Sequence, residues 1–457
     1  MAFLDGNYLI GSASGRTIFD SIEKLPILDA HNHADVKRIA ENIPFRNPWE
    51  LFVATDHYVW EIERKCGVPE EMITGKGVSD HDKWIEFCRV FPLAAGNPVY
   101  EWCHLDLRFL GFSELICADN AEFLWDSLCK RLAEPDCLPQ ALIRRMNIEI
   151  MCSTDDPADT LSDHEKAFAA FGKRLIRPTW RPDRYMNIDK PEWNEKVDAL
   201  GARFGMSIKC IECLCGALKK SHDYFAGFGT CASDHGLERA YSGDVPKEIA
   251  ADIFAKVRAG VAPTFEEAEQ FRSYLLAFMA ELDAEKGWVF QMHIGAVRDV
   301  RSGLYRTLGP DSGGDVSDHS VEIVKPVTAF LDKFDGRLKC VLYCLEPAHQ
   351  ASLATVARAF GSNVRLGSAW WYNDTPVGMR RQLEYIGSVE VLSRFAGMVS
   401  DSRKLLSYAS RFAMFRRVLS DVLGTMTDRG QMPLENALLI AREMCYGGPK
   451  SFFGFDK

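Results

Sequence analysis

The sequence predicts an α/β chain folded as a (β/α)₈ barrel of the TIM type, and three observations carry that prediction. Short apolar runs recur along the 457 residues, each ending in a polar or charged cluster and followed by a longer helix-compatible stretch. Eight such units can be marked, and continuous apolar strands separated by helices pair in parallel through crossover connections. In a barrel of this kind reactive residues gather where strands end and βα loops begin, which is where the polar clusters fall.

The first unit is LPILDAHNH, residues 25–33. Side chains at i, i+2 and i+4 of an extended strand share a face, so Asp29, His31 and His33 are expected to line up. The two imidazoles would then be close enough to share a divalent ion. Taken alone, a His-x-His pair also fits two hydrogen-bonded interior histidines, being two ligands short of a typical zinc shell.

More than a hundred residues separate this unit from the second, far beyond a usual βα connection. NPWELFVATDHYVWEIERKCG spaces Trp49, Leu51, Phe52 and Trp60 as a helix does, and DHDKWIEFCRVFPL and AEFLWDSLCKRLAE read as amphipathic helices. Residues 36–140 are therefore expected to form a mostly helical insertion over the barrel mouth, a lid within a single domain spanning 1–457. His57 and Tyr58 in this stretch are adjacent and cannot share a helix face. One is expected to enter the cavity while the other supports the insertion.

The remaining strand units follow in order. They are NIEIMCSTDD, KRLIRPTWRPD, FGTCASDHG, WVFQMHIGAV, LKCVLYCLEP, NVRLGSAWW and RFAGMVSDSR, of which FGTCASDHG has the weakest strand pattern. SRKLLSYASRFAMFRRVLSDVLG reads as the last barrel helix. PLENALLIAREMCYGG follows as a further helix, with Pro near its start and Gly-Gly after its end.

Several unit ends carry groups capable of chemistry. Asp401 in VSDSR would face the same mouth as His31 and His33, giving two nitrogens and one oxygen around a divalent ion with positions open to water or substrate. A helix cap or a salt bridge would equally explain an isolated aspartate there. His235 and His293 end two intermediate units, each a candidate ligand, proton shuttle or oxygen-binding donor, or a histidine bonded to a backbone carbonyl. Arg181, Arg298 and Arg403 lie at or just beyond unit ends. Guanidinium forks clamp carboxylates, so three at one mouth favour a small anionic ligand.

Composition narrows the partners. A hydrophobic share of 47% with 26% charged residues describes a soluble globular chain, and a net charge of −10 argues against nucleic acid or an anionic membrane as the main partner. No apolar run approaches a membrane span. The start MAFLDGNYLIGS lacks a basic, then apolar, leader pattern, so the 14 cysteines are expected to be reduced thiols in the cytoplasm. The cluster CIECLC (Cys210, Cys213, Cys215) has no second cysteine pair at zinc-ribbon spacing and reads as small packed side chains rather than a metal site.

From about residue 25 to about residue 417 the motifs, in register, resemble those of the uronate isomerases, a branch of the amidohydrolase superfamily. DAHNH, DHYVW, STDDP, RPTWRPD, ASDHG, HIGAVR, GSAWWYND, GMRRQ and SDSR carry the resemblance, and it is their order together that is specific. The resemblance implies reversible aldose–ketose isomerisation of D-glucuronate to D-fructuronate and of D-galacturonate to D-tagaturonate. It implies His31, His33 and Asp401 as the shell of one divalent metal, zinc first among the candidates. Because Asp401 would also serve as base, that ion is expected to be weakly held or dispensable. His57 and Tyr58 are implied as the acid–base pair. Arg181, His293, Arg298 and Arg403 are implied as substrate contacts, with Trp370 and Trp371 lining the cavity. A homo-oligomer is expected from the same resemblance. YCLEP, GSAWWY and the ADV after the first motif depart from the usual family forms and leave the preferred C4 epimer open.

Two rivals make different expectations. A metal-dependent hydrolase of a lactone, ester or amide usually has a lysine bridging two ions, and no lysine ends a candidate strand here. A non-catalytic sugar-acid binding protein would bind uronate without turnover.

Overall fold

The computed structural model describes residues 3–456. Its strands are β1 (Ile27–Asp29), β2 (Ile148–Asp155), β3 (Ile176–Trp180), β4 (Ala232–Leu237), β5 (Val289–Ile294), β6 (Ala296–Val297), β7 (Val316–Ser317), β8 (Lys339–Cys344) and β9 (Val364–Leu366). Seven of them form one parallel sheet in the order β1-β2-β3-β4-β5-β8-β9, while β6 and β7 pair antiparallel in the loop beyond β5. Each strand of the main sheet coincides with one of the apolar runs. Burial on both faces explains their continuous hydrophobicity: all six residues of β5 are buried. The weakest pattern, β4, is paired along its whole length with β5, whereas its ladder with β3 is the single pair Trp180 and Ser233.

The eighth run, RFAGMVSDSR, closes the ring without forming a ladder. Ala396 N–H donates to Leu366 O beyond β9 (3.0 Å), Asp401 N–H to His31 O (3.2 Å), and His33 N–H to Ser402 O (3.1 Å). Gly397 at φ +113° and Asp401 at φ +49° interrupt the extended backbone that a continuous ladder needs. Asp29, expected beside the two histidines, instead ties β1 to this segment. Its carboxylate accepts from Ser400 N–H (2.9 Å) and Ser400 Oγ–H (2.5 Å).

Between β1 and β2 the chain is helical, with helices from Val36–Ala40 to Pro139–Arg145. Their starts are legible as caps: Asn47, Asp56, Ser79 and Asn97 each accept a backbone N–H from the first turn of the helix they precede. The 22-residue helix Ser407–Asp428 follows the closing segment and packs on the N-terminal helix Ala13–Ile22. Among the described residues no helix is long and apolar enough to cross a membrane.

Candidate active site

At the C-terminal ends of the strands lies a cavity of about 320 Å³. Its lining includes His31, His33, His57, Arg181, His293, Arg298, Trp370, Trp371, Asp401 and Arg403. A larger, open groove of about 690 Å³ lies on the outside of the barrel beside helices Pro347–Ala359 and Pro376–Val389 and contains none of these residues.

The floor is built by the first and last strand segments. His31 Nε2 and His33 Nε2 each lie 3.1 Å from Asp401 Oδ1. Trp370 Nε1–H donates to the other oxygen of Asp401 at 3.0 Å. Burial opposes ionisation of Asp401, but its contacts with His31 and His33 hold the carboxyl well below the usual carboxylate range. Burial pushes His33 down to about 4, keeping its imidazole neutral. Burial also works against a charged His31, but Asp234 and Asp401 raise its pKa above the ordinary imidazole value, so it would shed a proton on binding an ion. With that proton gone, two nitrogens and an ionised oxygen have the donor chemistry of an open divalent-metal site. Their ligand atoms lie within 4.8 Å of one another.

A second group shares His31 with the first: His31, Asp234 and His293 also bring ligand atoms within 4.8 Å. Asp234 is wholly buried on β4. It lies 2.6 Å from His293 Nδ1, 3.0 Å from Arg181 Nη1 and 3.5 Å from His31 Nδ1. Burial alone would raise its pKa; Arg181, His31 and His293 together hold it well below the usual range. Because a carboxylate accepts from Nδ1–H, His293 presents its Nε2 lone pair to the cavity, where that atom has no hydrogen-bond partner. Burial lowers His293 to about 4, so the ring is neutral.

Sequence reasoning singled out His235 and passed over Asp234, its neighbour. Side chains alternate along a strand, so only one of two adjacent residues faces inward. His235 faces outward instead, 2.8 Å from Ser233 Oγ and stacked on Phe290 at 4.0 Å between ring centroids. It belongs to neither donor group and does not line the cavity. Gly236, the next inward position, leaves room for Arg181: a Cβ there would sit 2.5 Å from Arg181 Nη2.

The arginines are held by carboxylates. Arg181 also bonds Asp183 through Nε at 2.8 Å. Arg403 Nη2 lies 3.0 Å from Asp311, and Arg298 Nη1 lies 2.7 Å from Asp315 with its guanidinium over the Trp371 ring. Trp370, Trp371 and Asp401 all have left-handed backbone, at φ +67°, +50° and +49°. Non-glycine residues hold such conformations only where surrounding contacts impose them. Here Trp370 N–H donates to Asp374, and the buried Arg411 donates to Ser400 O at 2.8 Å.

The helix His57–Lys65 brings His57 into the cavity wall. Tyr58 does not line the cavity: its ring stacks behind His57 at 4.8 Å and packs against Trp102 and the Arg411 guanidinium. Burial and the nearby Arg403 lower the pKa of His57. Asp56, the cap of this helix, is anchored to the barrel by Lys404, whose Nζ lies 3.4 Å from Asp56 and 3.1 Å from Asp106. All three are buried. Lys404→Met leaves two buried carboxylates without their cation, so it is expected to destabilise the fold by about 3 kcal/mol. Chemical denaturation checks the loss; an unchanged midpoint would remove the clamp.

The glucuronate isomerase family model matches residues 1–453. The uronate isomerase of Thermotoga sp. strain RQ2 is 45% identical over 452 residues, covering 99% of both chains, and that of Caldicellulosiruptor saccharolyticus is 35% identical over 99% of both. The crystal structure of the Thermotoga maritima uronate isomerase superposes with a TM-score of 0.97 at 45% identity, covering 99% of this chain and 100% of that one. The glucuronate isomerase structure from Caulobacter crescentus gives 0.94 at 26% identity, covering 99% and 97%. A full-length match in sequence and in fold places the chain in the glucuronate isomerase family.

Proposed function

We propose that the chain interconverts hexuronates and their 2-keto isomers, D-glucuronate with D-fructuronate and D-galacturonate with D-tagaturonate. The observation that carries the reading is one pocket in which the Asp401 carboxylate, the imidazoles of His31, His33, His57 and His293, and the guanidinium groups of Arg181, Arg184, Arg298 and Arg403 converge. Asp155, Asp156, Asp183 and Asp311 also stand in its wall. The C2 hydrogen of an open-chain aldose is weakly acidic, so its removal needs a placed base and a stabilised enediolate.

Asp401 takes the C2 proton and returns it to C1. The contacts that keep it ionised also weaken it as a base, so its contribution rests on position more than on proton affinity. His57, kept neutral by burial and Arg403, moves the proton between O1 and O2. Tyr58 supports His57 from behind. Arg181, Arg298 and Arg403 hold the C6 carboxylate away from the reacting carbons, using remote binding energy for orientation. Trp370 and Trp371 wall the cavity against water, beneath the helical insertion of residues 36–140, which acts as its lid.

His31, His33 and Asp401 would hold one divalent ion, zinc by donor preference, loosely because Asp401 has a second task. When bound, such an ion stabilises negative charge on the enediolate oxygens. A cytoplasmic setting is in keeping with fourteen cysteines that lie as free thiols, and a homo-oligomer belongs to the same reading.

The test is incubation with D-glucuronate, D-galacturonate and D-glucose in turn, with and without chelator, following the ketose by NMR. Ketouronate should form from at least one acid sugar and no ketose from glucose. Lactone hydrolysis without any ketouronate would turn the reading to a hydrolase. Arg403→Met is expected to raise KM and lower kcat, reducing kcat/KM about 30-fold, the equivalent of about 2 kcal/mol for a lost charge-assisted contact. An unchanged kcat/KM would remove Arg403 from the site.

A further inference from the structure

Outside the cavity, the cysteine cluster of residues 210–215 has a geometry that the isomerase reading does not use. The helix Ile211–Ala226 opens on the sequence CIEC. Cys210 caps it in extended conformation, φ −144° and ψ 166°, and its Sγ accepts from Cys213 N–H at 3.4 Å. The helical turn that follows brings residue i+3 back beside the cap, and the two sulfur atoms lie 2.8 Å apart. Both side chains are partly exposed.

Closing from 2.8 Å to a sulfur–sulfur bond of about 2.0 Å needs a shift of less than about 1 Å. The shift is one of side chains: the Cys210 carbonyl can keep the helix's first hydrogen bond, from Leu214 N–H at 3.2 Å, and only the Cys213 N–H contact to the Cys210 sulfur is disturbed. The contact with Cys210 lowers the Cys213 thiol below its ordinary pKa. The first-turn N–H groups of a helix favour a thiolate in the same place. Burial pushes the thiol of Cys215 up to about 12, which makes it a poor nucleophile beside Cys213.

We propose that Cys210 and Cys213 form a redox-active dithiol that closes to a disulfide by exchange with a low-molecular-weight disulfide. The Cys213 thiolate attacks one sulfur of the small disulfide, forming a mixed disulfide and expelling one thiolate. Cys210, losing its proton to that thiolate, then attacks the Cys213 sulfur and expels the second. Two protein thiols are oxidised and one small disulfide is reduced to two thiols. No residue of 205–230 lines the catalytic cavity, so the pair lies outside the isomerisation site.

The experiment exposes the native, full-length protein to oxidised glutathione, then unfolds it, alkylates it and maps its peptides by mass. The peptide containing Cys210 and Cys213 should lose both alkylation sites at least about ten times faster than Cys66 or Cys117, which are also partly exposed. It should carry an internal bond that dithiothreitol reverses. In Cys210→Ser the reaction should stop at a glutathione mixed disulfide on Cys213. The proposal fails if both thiols stay alkylatable, if each carries its own glutathione, if the bond joins Cys215, or if the pair reacts no faster than Cys66.

Discussion

Asp401→Asn is expected to lower kcat about 10³-fold, the scale of a lost general base, while leaving the fold intact. The exchange keeps the side-chain shape in a site where His31, His33 and Trp370 all address this one carboxylate. It removes the negative charge and the lone pair that would accept the C2 proton. Metal content measured on the same sample separates loss of the base from loss of an ion. Turnover near that of the native protein would refute the role given to Asp401.

Asp234→Asn is expected to damage stability and turnover together. Asp234 is fully buried and is the common partner of Arg181, His31 and His293. Breaking a buried ion pair on one side costs about 3 kcal/mol, because the remaining charge stays in a poor solvent. Turnover should fall at least about 100-fold, since the tautomer of His293 and the placement of Arg181 lose their shared anchor. Denaturant unfolding reads the first effect and steady-state kinetics the second. A variant with both unchanged would show that the three neighbours are oriented by something else.

Much of this arrangement was legible in the sequence, for reasons particular to its residues. Parallel strands buried on both faces are mostly apolar, so all eight units can be marked as apolar runs ending in polar clusters. Seven of them are strands of the main sheet; FGTCASDHG, with Ser, Asp and His inside its strand, is the least legible of these. His31, His33 and Asp401 stood out because polar groups at strand ends are hard to explain by packing. The eighth run was readable as an apolar segment but not as an irregular one. Its departure from a ladder depends on left-handed backbone at Asp401, a residue with no glycine-like signature. Asp234 was missed because adjacent Asp and His in ASDHG occupy opposite faces of β4, and only pairing with β5 fixes which one points inward. Tyr58 was equally ambiguous beside His57, since the packing of Tyr58 against Trp102 and Arg411 joins residues 44 and 353 positions away in the chain.

In this mechanism the sugar binds in one orientation, with its acid end on the guanidinium groups and its C1–C2 end against Asp401. Diffraction from crystals grown with a hexonate, an open-chain sugar acid without the reactive carbonyl, measures that orientation directly. The expected map places the carboxylate within hydrogen-bond reach of Arg181, Arg298 or Arg403 and the far carbons beside Asp401 and His57. A hexonate bound end for end, or seated outside this cavity, would contradict it.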